Sequence, residues 1–248
     1  MITIKTPEEI QIMRESGRIL AYAVKELEKM AKPGTTTLEL DRAAEALILS
    51  KGGKPGFKNY DGFPYSLCAS VNETVVHGYP SNYVLKNGDI IGLDLGVVYK
   101  GYNSDMAVTI PIGEVSFEAK RLINVTKKSL RLGIKKAKVG NTIGDIGNTI
   151  QRFIEDQGFG VVRELCGHGI GKKLHEDPKI PNYGKRGGGE KLAEGMVICI
   201  EPMVTAGDYT LRKADDGYGY ATRDSSLSAH FEHTIAITKK GPVILTEI

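Results

Sequence analysis

Apolar residues near the start of the chain recur at spacings of three and four, which is the pattern of one helix face. That face is formed by Ile10, Met13, Gly17, Leu20, Val24 and Leu27. Before it stand Thr6 as a cap, Pro7 in the first turn and Glu9 to complete a capping box. We therefore predict a helix that begins after Thr6 and stops at Lys32-Pro33-Gly34.

The same plan of helix starts occurs twice along the chain. Thr36 and Glu39 begin a second helix, a third is predicted over residues 118–138, and Thr142 and Asp145 begin a fourth. At an offset of 106, identical residues recur in the pairs Ala31/Ala137, Lys32/Lys138, Gly34/Gly140, Thr36/Thr142 and Gly52/Gly158. The repetition predicts two related halves, 1–115 and 116–248.

Each half also contains a short apolar run that ends in a carboxylate. Gly88 is followed six residues later by Asp94, and Gly195 is followed six residues later by Glu201. Short apolar runs bounded by turn residues predict buried strands. Helix caps alone leave chance similarity open, but the matched strands favour duplication. We expect one α+β domain over 1–248, because no Pro/Ser-rich linker divides the halves.

Asp94 and Asp105 flank a predicted hairpin. If its turn is centred on Tyr99-Lys100, the two aspartates lie directly opposite, with Cβ atoms about 4.5–5.5 Å apart. A buried carboxylate pair is costly unless a cation lies between its members, so the pair predicts a metal site. The alternative of a surface aspartate beside a turn suits Asp105 but does not suit Asp94, which interrupts an apolar run.

Two glutamates extend this acidic set. Glu201 ends its apolar run, and Glu232 shares one face of a predicted strand over 230–237 with Thr234 and Ala236. Either glutamate alone is typical of a solvated strand end. Together with the two aspartates they carry a formal charge of about −4, which two divalent cations balance, and two-metal sites lower the pKa of bound water to about 7.

The five histidines of the chain differ in their surroundings. His168 lies among glycines that let the backbone approach another segment closely. His77 and His175 each precede a turn that ends in proline. We assign His230 and His233 a structural role, with at most an indirect contribution to a site. Carboxylates with an imidazole suit Mn, Fe, Co or Zn.

Composition narrows the class of protein. The chain has 248 residues, 41% of them hydrophobic and 25% charged, which excludes disordered, collagen-like and coiled-coil proteins. A net charge of +3 gives no support to a nucleic-acid partner. Cys68, Cys166 and Cys199 have no CxxC spacing, which favours a reducing compartment. No signal-peptide pattern or membrane-spanning run is present, so we expect a cytoplasmic protein.

In chain order, the candidate ligands resemble those of the methionine aminopeptidases, a family with the pita-bread fold. These residues are Asp94, Asp105, His168, Glu201 and Glu232. The similarity extends over the whole chain and is strongest in the segments 70–78, 167–171, 174–178, 201–203 and 231–234. No long N-terminal extension is present and Glu201 and Glu232 are only 31 residues apart, as in the first, bacterial-type class.

The resemblance implies a metalloaminopeptidase that removes the initiator methionine from nascent proteins when the second residue is small. It implies two divalent ions of Co, Mn, Fe or Zn: one held by Asp94, Asp105 and Glu232, the other by Asp105, His168, Glu201 and Glu232. It further implies hydrolysis by a two-metal-activated hydroxide, with Glu201 moving the proton to the leaving amine. His175 would donate to the developing oxyanion, and His77 would contact the nitrogen of the departing residue.

The family's methionine pocket is apolar and aromatic. The corresponding positions here are Phe57, Tyr60, Phe63, Cys68, His77, Leu174 and Tyr218. Leu174 stands where phenylalanine is common and Tyr218 where tryptophan is common, and both changes keep the pocket apolar. For Phe57 and Phe63, packing in the core is an equal alternative.

Two other functions stay open. One is a Xaa-Pro-directed peptidase of the same fold, although such relatives usually have an additional N-terminal domain. The other is a non-catalytic protein that binds RNA or ribosomes, although such relatives have lost metal ligands and all five are present here. The resemblance also suggests a monomer that works close to the ribosome on nascent chains, with no specific nucleic-acid or membrane partner.

Overall fold

The computed structural model describes residues 2–247 of the chain. The helices in this part of the chain are α1 (Pro7–Met30), α2 (Thr37–Ser50), α3 (Phe117–Ile134) and α4 (Ile143–Asp156). The strands are β1 (Lys54–Pro55), β2 (Leu67–Val71), β3 (Thr74–Val76), β4 (Ile90–Tyr99), β5 (Tyr102–Pro111), β6 (Gly160–Val161), β7 (Gly167–Gly169), β8 (Glu176–Ile180), β9 (Val197–Ile200), β10 (Met203–Thr205), β11 (Leu211–Lys213), β12 (Tyr220–Thr222), β13 (Ser228–His230), β14 (Glu232–Thr238) and β15 (Gly241–Ile244). A short 3₁₀ turn spans Tyr60–Gly62.

The predicted helix starts are confirmed. Thr6, Thr36 and Thr142 each cap a helix, and each is paired in a capping box with the acidic residue three positions later. Helix α3 ends at Ile134, four residues before the predicted end. The chain there tightens into a turn in which the N–H of Ala137 donates to the carbonyl of Ile134, so the helical ladder stops.

A curved antiparallel sheet of nine strands organises the molecule. Its order is β1-β4-β5-β14-β9-β7-β8, with β2 added beside β4 and β15 beside β14. Helices α1 and α2 contact β4, β5 and β2, whereas α3 contacts β5 and β9 and packs against α4. The main apolar core lies between the sheet and these helices and includes Leu20, Leu93, Leu122 and Ile198, none of them exposed to solvent. The predicted α+β class is confirmed.

Corresponding positions in the two halves have matching local structure. Gly34 and Gly140 have φ of 97° and 87°, and isolated bridges join Thr36 to Val84 and Thr142 to Lys191. Strands β4 and β5 of the first half and β9 and β14 of the second form adjacent antiparallel pairs, which meet where β5 pairs with β14. These features support the proposal that residues 1–115 and 116–248 are two copies of one unit within a single domain.

The predicted register of the β4–β5 hairpin is wrong by two residues. Tyr99 pairs with Tyr102, so Asp94 lies opposite Ala107 and Asp105 lies opposite Gly96. The two turn residues are Lys100 and Gly101, with φ of 48° and 82°, which is the left-handed geometry that two-residue hairpin turns favour. A shift of two residues leaves side chains on the same face, so the two aspartates remain diagonal neighbours.

The predicted strand over 230–237 is divided in the structure. β13 ends at His230 and pairs with β10, while β14 begins at Glu232 in the large sheet. Glu232 and Thr234 do share a face, and the hydroxyl of Thr234 donates to the carbonyl of Asp105 on β5. In the described part of the chain, no helix combines the length and the apolar character needed to cross a membrane.

Candidate metal centre and its cavity

The five predicted ligands meet near the middle of the large sheet. Asp94 lies on β4, Asp105 on β5, His168 on β7 and Glu232 at the start of β14, while Glu201 directly follows β9. The four carboxylate residues are exposed by 9% or less. The structure therefore brings together, from five separate segments, every residue that the sequence suggested as a ligand.

His168 presents a ring nitrogen to three of the carboxylates. Its Nδ1 lies 2.9 Å from the carbonyl oxygen of Gly169 and donates there, so the neutral ring has its lone pair on Nε2. Nε2 lies 3.8 Å from Asp105 Oδ2, 3.8 Å from Glu201 Oε1 and 4.0 Å from Glu232 Oε1. These separations are longer than hydrogen bonds. They suit atoms that surround a common cation, because two ligands about 2.1 Å from one ion lie about 3.4 Å apart in tetrahedral geometry.

Glycines allow the backbone to bring His168 to this place. A Cβ on Gly167 would lie 2.3 Å from the carbonyl oxygen of Cys199, and one on Gly169 would overlap the carbonyl of Asp177. The sequence prediction that these glycines permit a close backbone approach is confirmed. Any larger residue at either position would push β7 away from its neighbours.

Several buried polar atoms at this centre have no hydrogen-bond partner among residues 2–247. They are Asp94 Oδ1, Asp105 Oδ1, Glu232 Oε1 and His230 Nε2. Buried charges without partners are strongly destabilising, and coordination of a cation is the usual way in which proteins compensate them. The donor set of carboxylates and imidazole matches the preference of borderline divalent metals. The residues present therefore fit a divalent metal.

The carboxylates also perturb one another. Burial, reinforced by the charge of Glu201, raises the pKa of Asp94 to about 7, against the opposing effect of His230. Burial and the neighbouring carboxylates raise the pKa values of Asp105 and Glu232 well above their usual range. Such groups hold protons until a cation replaces them, which couples metal binding to proton release.

His230 belongs to this cluster, although the sequence suggested only an indirect role for it. Its ring is 3% exposed, and Nε2 lies 3.4 Å from Glu201 Oε2 and 3.8 Å from Glu232 Oε2. The signal that could have found it is its spacing: residues 230 and 232 differ by two, so an extended chain points both to one face. The sequence-based prediction gave His230 and His233 the same role, although only His230 is two residues from Glu232 and therefore on the same face of an extended chain.

Cys199 also lies beside the cluster. Its Sγ is within 4.8 Å of candidate ligand atoms on Asp105, His168 and Glu232. Burial, with the charges of Glu232 and Asp105, raises the pKa of this thiol well above its usual range, and Sγ lies 3.7 Å from the hydroxyl of Thr234.

Two further histidines stand at the mouth of the centre. The ring of His175 packs edge-on against that of His168, with centroids 4.4 Å apart, and its Nδ1 lies 2.9 Å from Tyr60 Oη. Desolvation by the surrounding cleft, together with His168, lowers the pKa of His175 to about 4. His77 has a left-handed backbone with φ of 60°, and burial lowers its pKa as well. Both imidazoles are therefore neutral near pH 7.

A cavity of about 380 Å³ opens directly onto the cluster. All seven residues predicted for a side-chain pocket line it: Phe57, Tyr60, Phe63, Cys68, His77, Leu174 and Tyr218. Tyr218 stacks on Tyr79 with ring centroids 4.9 Å apart, and Phe63 lies 5.3 Å from Tyr218. Six lining residues were not predicted for this pocket: Asp61, Val76, Leu165, Lys213, Tyr220 and His230.

A second, larger cavity of about 800 Å³ continues from the first toward the outer surface. Both are lined by His77, His168, His175 and Glu201. The outer cavity extends to residues of the N-terminal segment, where Lys5 forms a buried ion pair with Glu176 at 2.8 Å. The cluster therefore lies between an inner cavity rich in aromatic residues and a larger outer cleft.

Comparison with known proteins shows the family. The model of metallopeptidase family M24 matches residues 11–239. A methionine aminopeptidase of Clostridium perfringens is 50% identical over 248 residues, which cover 100% of both chains. Methionine aminopeptidase 1 of Bacillus subtilis is 49% identical over 248 residues, again with 100% of both chains covered.

Solved structures show the same fold. The crystal structure of methionine aminopeptidase from Thermotoga maritima matches with a TM-score of 0.98 at 45% identity, and 100% of each chain is covered. The prolidase from Pyrococcus horikoshii matches with a TM-score of 0.78 at 26% identity, covering 98% of this chain and 63% of the prolidase.

Proposed function

The chain belongs to metallopeptidase family M24 and to the methionine aminopeptidases within it, and we propose that it removes the initiator methionine from new polypeptides with a pair of divalent cations. It has the pita-bread fold and is a hydrolase of the metal-dependent exopeptidase type. The observation that carries the proposal is the position of four buried carboxylates and a metal-ready imidazole directly beside an apolar cavity of about 380 Å³.

The ligand positions follow from the geometry and from the family pattern. Asp94, Asp105 and Glu232 would hold one ion, and the other would lie among Asp105, His168, Glu201 and Glu232. When bound, divalent cations polarise a carbonyl oxygen and bring the pKa of water from 15.7 to about 7. The orphaned atoms Asp94 Oδ1, Asp105 Oδ1 and Glu232 Oε1 support this assignment, since each gains a partner by it.

Side chains around the ions would transfer protons and stabilise the negative charge that develops in the reaction. Glu201 follows β9 at the boundary of the two cavities, where its carboxylate can take a proton from water and pass it to the leaving amine. His175 is neutral near pH 7 and can donate from Nε2 to the carbonyl oxygen as negative charge develops there. His77 faces the same space and can contact the nitrogen of the departing residue.

The inner cavity would select the side chain. Aromatic rings and the buried residues Cys68 and Leu174 form part of its wall, so an apolar side chain such as that of methionine would lose water against apolar surface there. The rest of the peptide would lie in the outer cleft. A small second residue is expected from the family pattern, and His77 and His175 both line the space that the chain past the first peptide bond would enter.

The wider setting is also a proposal. The substrates would be the N-termini of nascent chains in the cytoplasm, which places the enzyme close to ribosomes as a monomer without a specific nucleic-acid or membrane partner. A Xaa-Pro-directed activity is the alternative within the fold, since a prolidase shares it. Retention of all five ligands disfavours a non-catalytic binding protein.

The test is a peptide assay on metal-stripped protein with Mn(II), Fe(II), Co(II) or Zn(II) restored separately. We expect release of methionine from Met-Ala-Ser only with metal, and much less from a peptide with a bulky second residue. Asp105→Asn serves as the matched control, since it removes a charge but little volume. A preference for Xaa-Pro peptides would reverse the substrate assignment, and cleavage of no peptide with any metal would contradict the enzymatic function.

A further inference from the structure

The imidazoles of His168 and His230 lie on opposite sides of the same pair of glutamates. His168 Nε2 approaches the Oε1 atoms of Glu201 and Glu232, at 3.8 and 4.0 Å. His230 Nε2 approaches their Oε2 atoms, at 3.4 and 3.8 Å. Each glutamate thus directs one oxygen toward each imidazole, so the two rings define two separate positions for a cation.

The contacts of His230 suit a metal ligand, because its Nε2 faces two carboxylates at distances longer than an ordinary hydrogen bond. Its Nε2 is buried and has no hydrogen-bond partner in the described part of the chain, although two carboxylates are close. Two atoms coordinated at about 2.1 Å to one ion stand about 3.4 Å apart, which matches the distance from Nε2 to Glu201 Oε2. Ligand atoms of Glu201, His230 and Glu232 all lie within 4.8 Å of one another.

The backbone holds His230 firmly in this orientation. Its N–H donates to the hydroxyl of Thr109 and its carbonyl accepts from the same hydroxyl, both at 2.9 Å. In addition, His230 is the last residue of β13 and pairs with Met203 of β10. With its backbone fixed by these contacts and its side chain buried, His230 has little freedom to lose when an ion binds.

We propose that His230 Nε2 is a nitrogen ligand of the ion that does not contact His168, together with the Oε2 atoms of Glu201 and Glu232. Glu201 would then contribute one oxygen to each ion. This assignment extends the two-ion site proposed above. The family pattern gives that ion only carboxylates, from Asp94, Asp105 and Glu232, whereas His168 serves the other ion. With His230, each ion in this chain has one imidazole.

An imidazole changes which metals the position prefers. Carboxylates alone suit Mn(II), whereas an imidazole nitrogen favours Co(II) and Zn(II). His230 should therefore raise the affinity for Zn(II) at this position more than that for Mn(II).

The experiment uses full-length protein labelled with ¹⁵N-histidine and titrated with Zn(II). His230→Gln tests the ligand, because the amide can still donate a hydrogen bond to Glu201 but lacks the imidazole nitrogen. His233→Asn is the control, since His233 lies three positions along the chain and its Nδ1 contacts Thr246 Oγ1 at 2.9 Å, not the carboxylates.

In the wild type, the ¹⁵N chemical shifts of two histidine side chains should change to the values of metal-bound nitrogen after two equivalents of Zn(II) are added. His230→Gln should leave one such signal and weaken one of the two Zn(II) sites in calorimetry by at least tenfold, as removal of even an outer partner costs about 10–100-fold. His233→Asn should keep both signals.

A wild-type spectrum with a single metal-bound histidine at two bound ions overturns the role of His230 and leaves the two-ion site intact. The role of His230 is likewise overturned if His230→Gln binds both ions with unchanged affinity. If the wild type binds no Zn(II), both this assignment and the proposed metal site are overturned. The wild-type spectrum needs no variant, so the assignment is tested even if His230→Gln fails to fold.

Discussion

Tyr60 Oη lies 2.9 Å from Nδ1 of His175. Since the surroundings lower the pKa of His175 to about 4, its ring is neutral near pH 7 and has a single N–H. If the Tyr60 hydroxyl donates to Nδ1, that N–H must be on Nε2. With the Tyr60 hydroxyl donating to Nδ1, His175 is held in the tautomer that can donate to a substrate carbonyl, and we expect Tyr60 to act as a positioning residue for the reaction.

Replacement Tyr60→Phe should reduce kcat on Met-Ala-Ser about tenfold and leave KM nearly unchanged. Part of the enzyme would then have the proton of His175 on Nδ1, and Nε2 could not donate to the transition state. Tyr65→Phe is the matched control, as Tyr65 packs edge-on against Phe63 in the same aromatic group. The ¹⁵N shifts of His175 should show a mixture of tautomers in Tyr60→Phe alone. Unchanged kcat together with an unchanged tautomer would rule out the role of Tyr60.

Asp105→Asn should abolish methionine release while the protein still folds. Burial and the charges of Asp94 and Glu201 raise the pKa of Asp105 well above its usual range, so the neutral amide relieves repulsion in the metal-free protein. We expect a metal-free melting temperature equal to or above that of the wild type, and a loss of most of the stabilisation that Mn(II) or Co(II) gives the wild type. Activity within tenfold of the wild type would contradict the assignment of this ligand.

Metal affinity should rise with pH, and more steeply below pH 7 than above it. Burial raises the pKa of Asp94 to about 7, so below that pH the ion must displace a proton from this carboxyl. Each displaced proton weakens binding about tenfold for each pH unit below 7. Calorimetry in two buffers of different ionisation enthalpy measures the released protons, and their number should be larger at pH 6 than at pH 8. Equal release at both values would show that Asp94 is already ionised at pH 6.

The helices and the acid-ended strands could be predicted because their signals are local. Three capping boxes mark helix starts within four residues each, and an aspartate inside an apolar run identifies Asp94 as unusual. The register of β4 and β5 was predicted wrongly because several turns near Lys100 fit the same alternation. Only the positive φ angles of Lys100 and Gly101 decide which turn forms.

The ligand set was predictable as residue types, whereas their exact partners were not. The spacing of residues 230 and 232 places His230 on the face of Glu232, but its contact with Glu201 joins segments that are distant in sequence and cannot be predicted from spacing. The same holds for Tyr79, which reaches the pocket wall by stacking on Tyr218 from a distant segment. Side chains that meet through tertiary packing alone become visible only in the structure.

His233 should make the protein sensitive to acid. Burial, with a smaller effect from Lys127 and Arg131, lowers the pKa of His233 to about 4, compared with an ordinary value of 6.5. Above pH 6.5 both folded and unfolded chains hold this ring neutral, so it contributes no pH dependence there. Between pH 6.5 and 4 this histidine binds a proton in the unfolded chain but not in the folded chain. The free energy of unfolding therefore falls by up to about 3 kcal/mol.

His233→Asn should flatten this part of the profile, although loss of the contact with Thr246 lowers stability at every pH. Denaturant unfolding of the metal-free protein at pH 7.5, 6 and 5 measures the slope. Equal slopes for wild type and variant would assign the acid sensitivity to other groups.

Truncation of the pocket wall should relax selection for methionine without changing the chemical step. Tyr218 stacks on Tyr79 at 4.9 Å, and its ring lies 6.3 Å from that of His77, so it borders the cavity and not the carboxylate cluster. Tyr218→Ala should lower kcat/KM for Met-Ala-Ser about tenfold through KM, because apolar contacts to the side chain are lost. For larger first residues such as phenylalanine, kcat/KM should rise relative to that for methionine, because the cavity is wider.

Tyr209→Ala is the control, since Tyr209 is 37% exposed and lies against Arg163, away from the cavity. A fall in kcat at saturating substrate would instead mean that Tyr218 supports His77. Selection for methionine would then be assigned to Phe63 and Leu174.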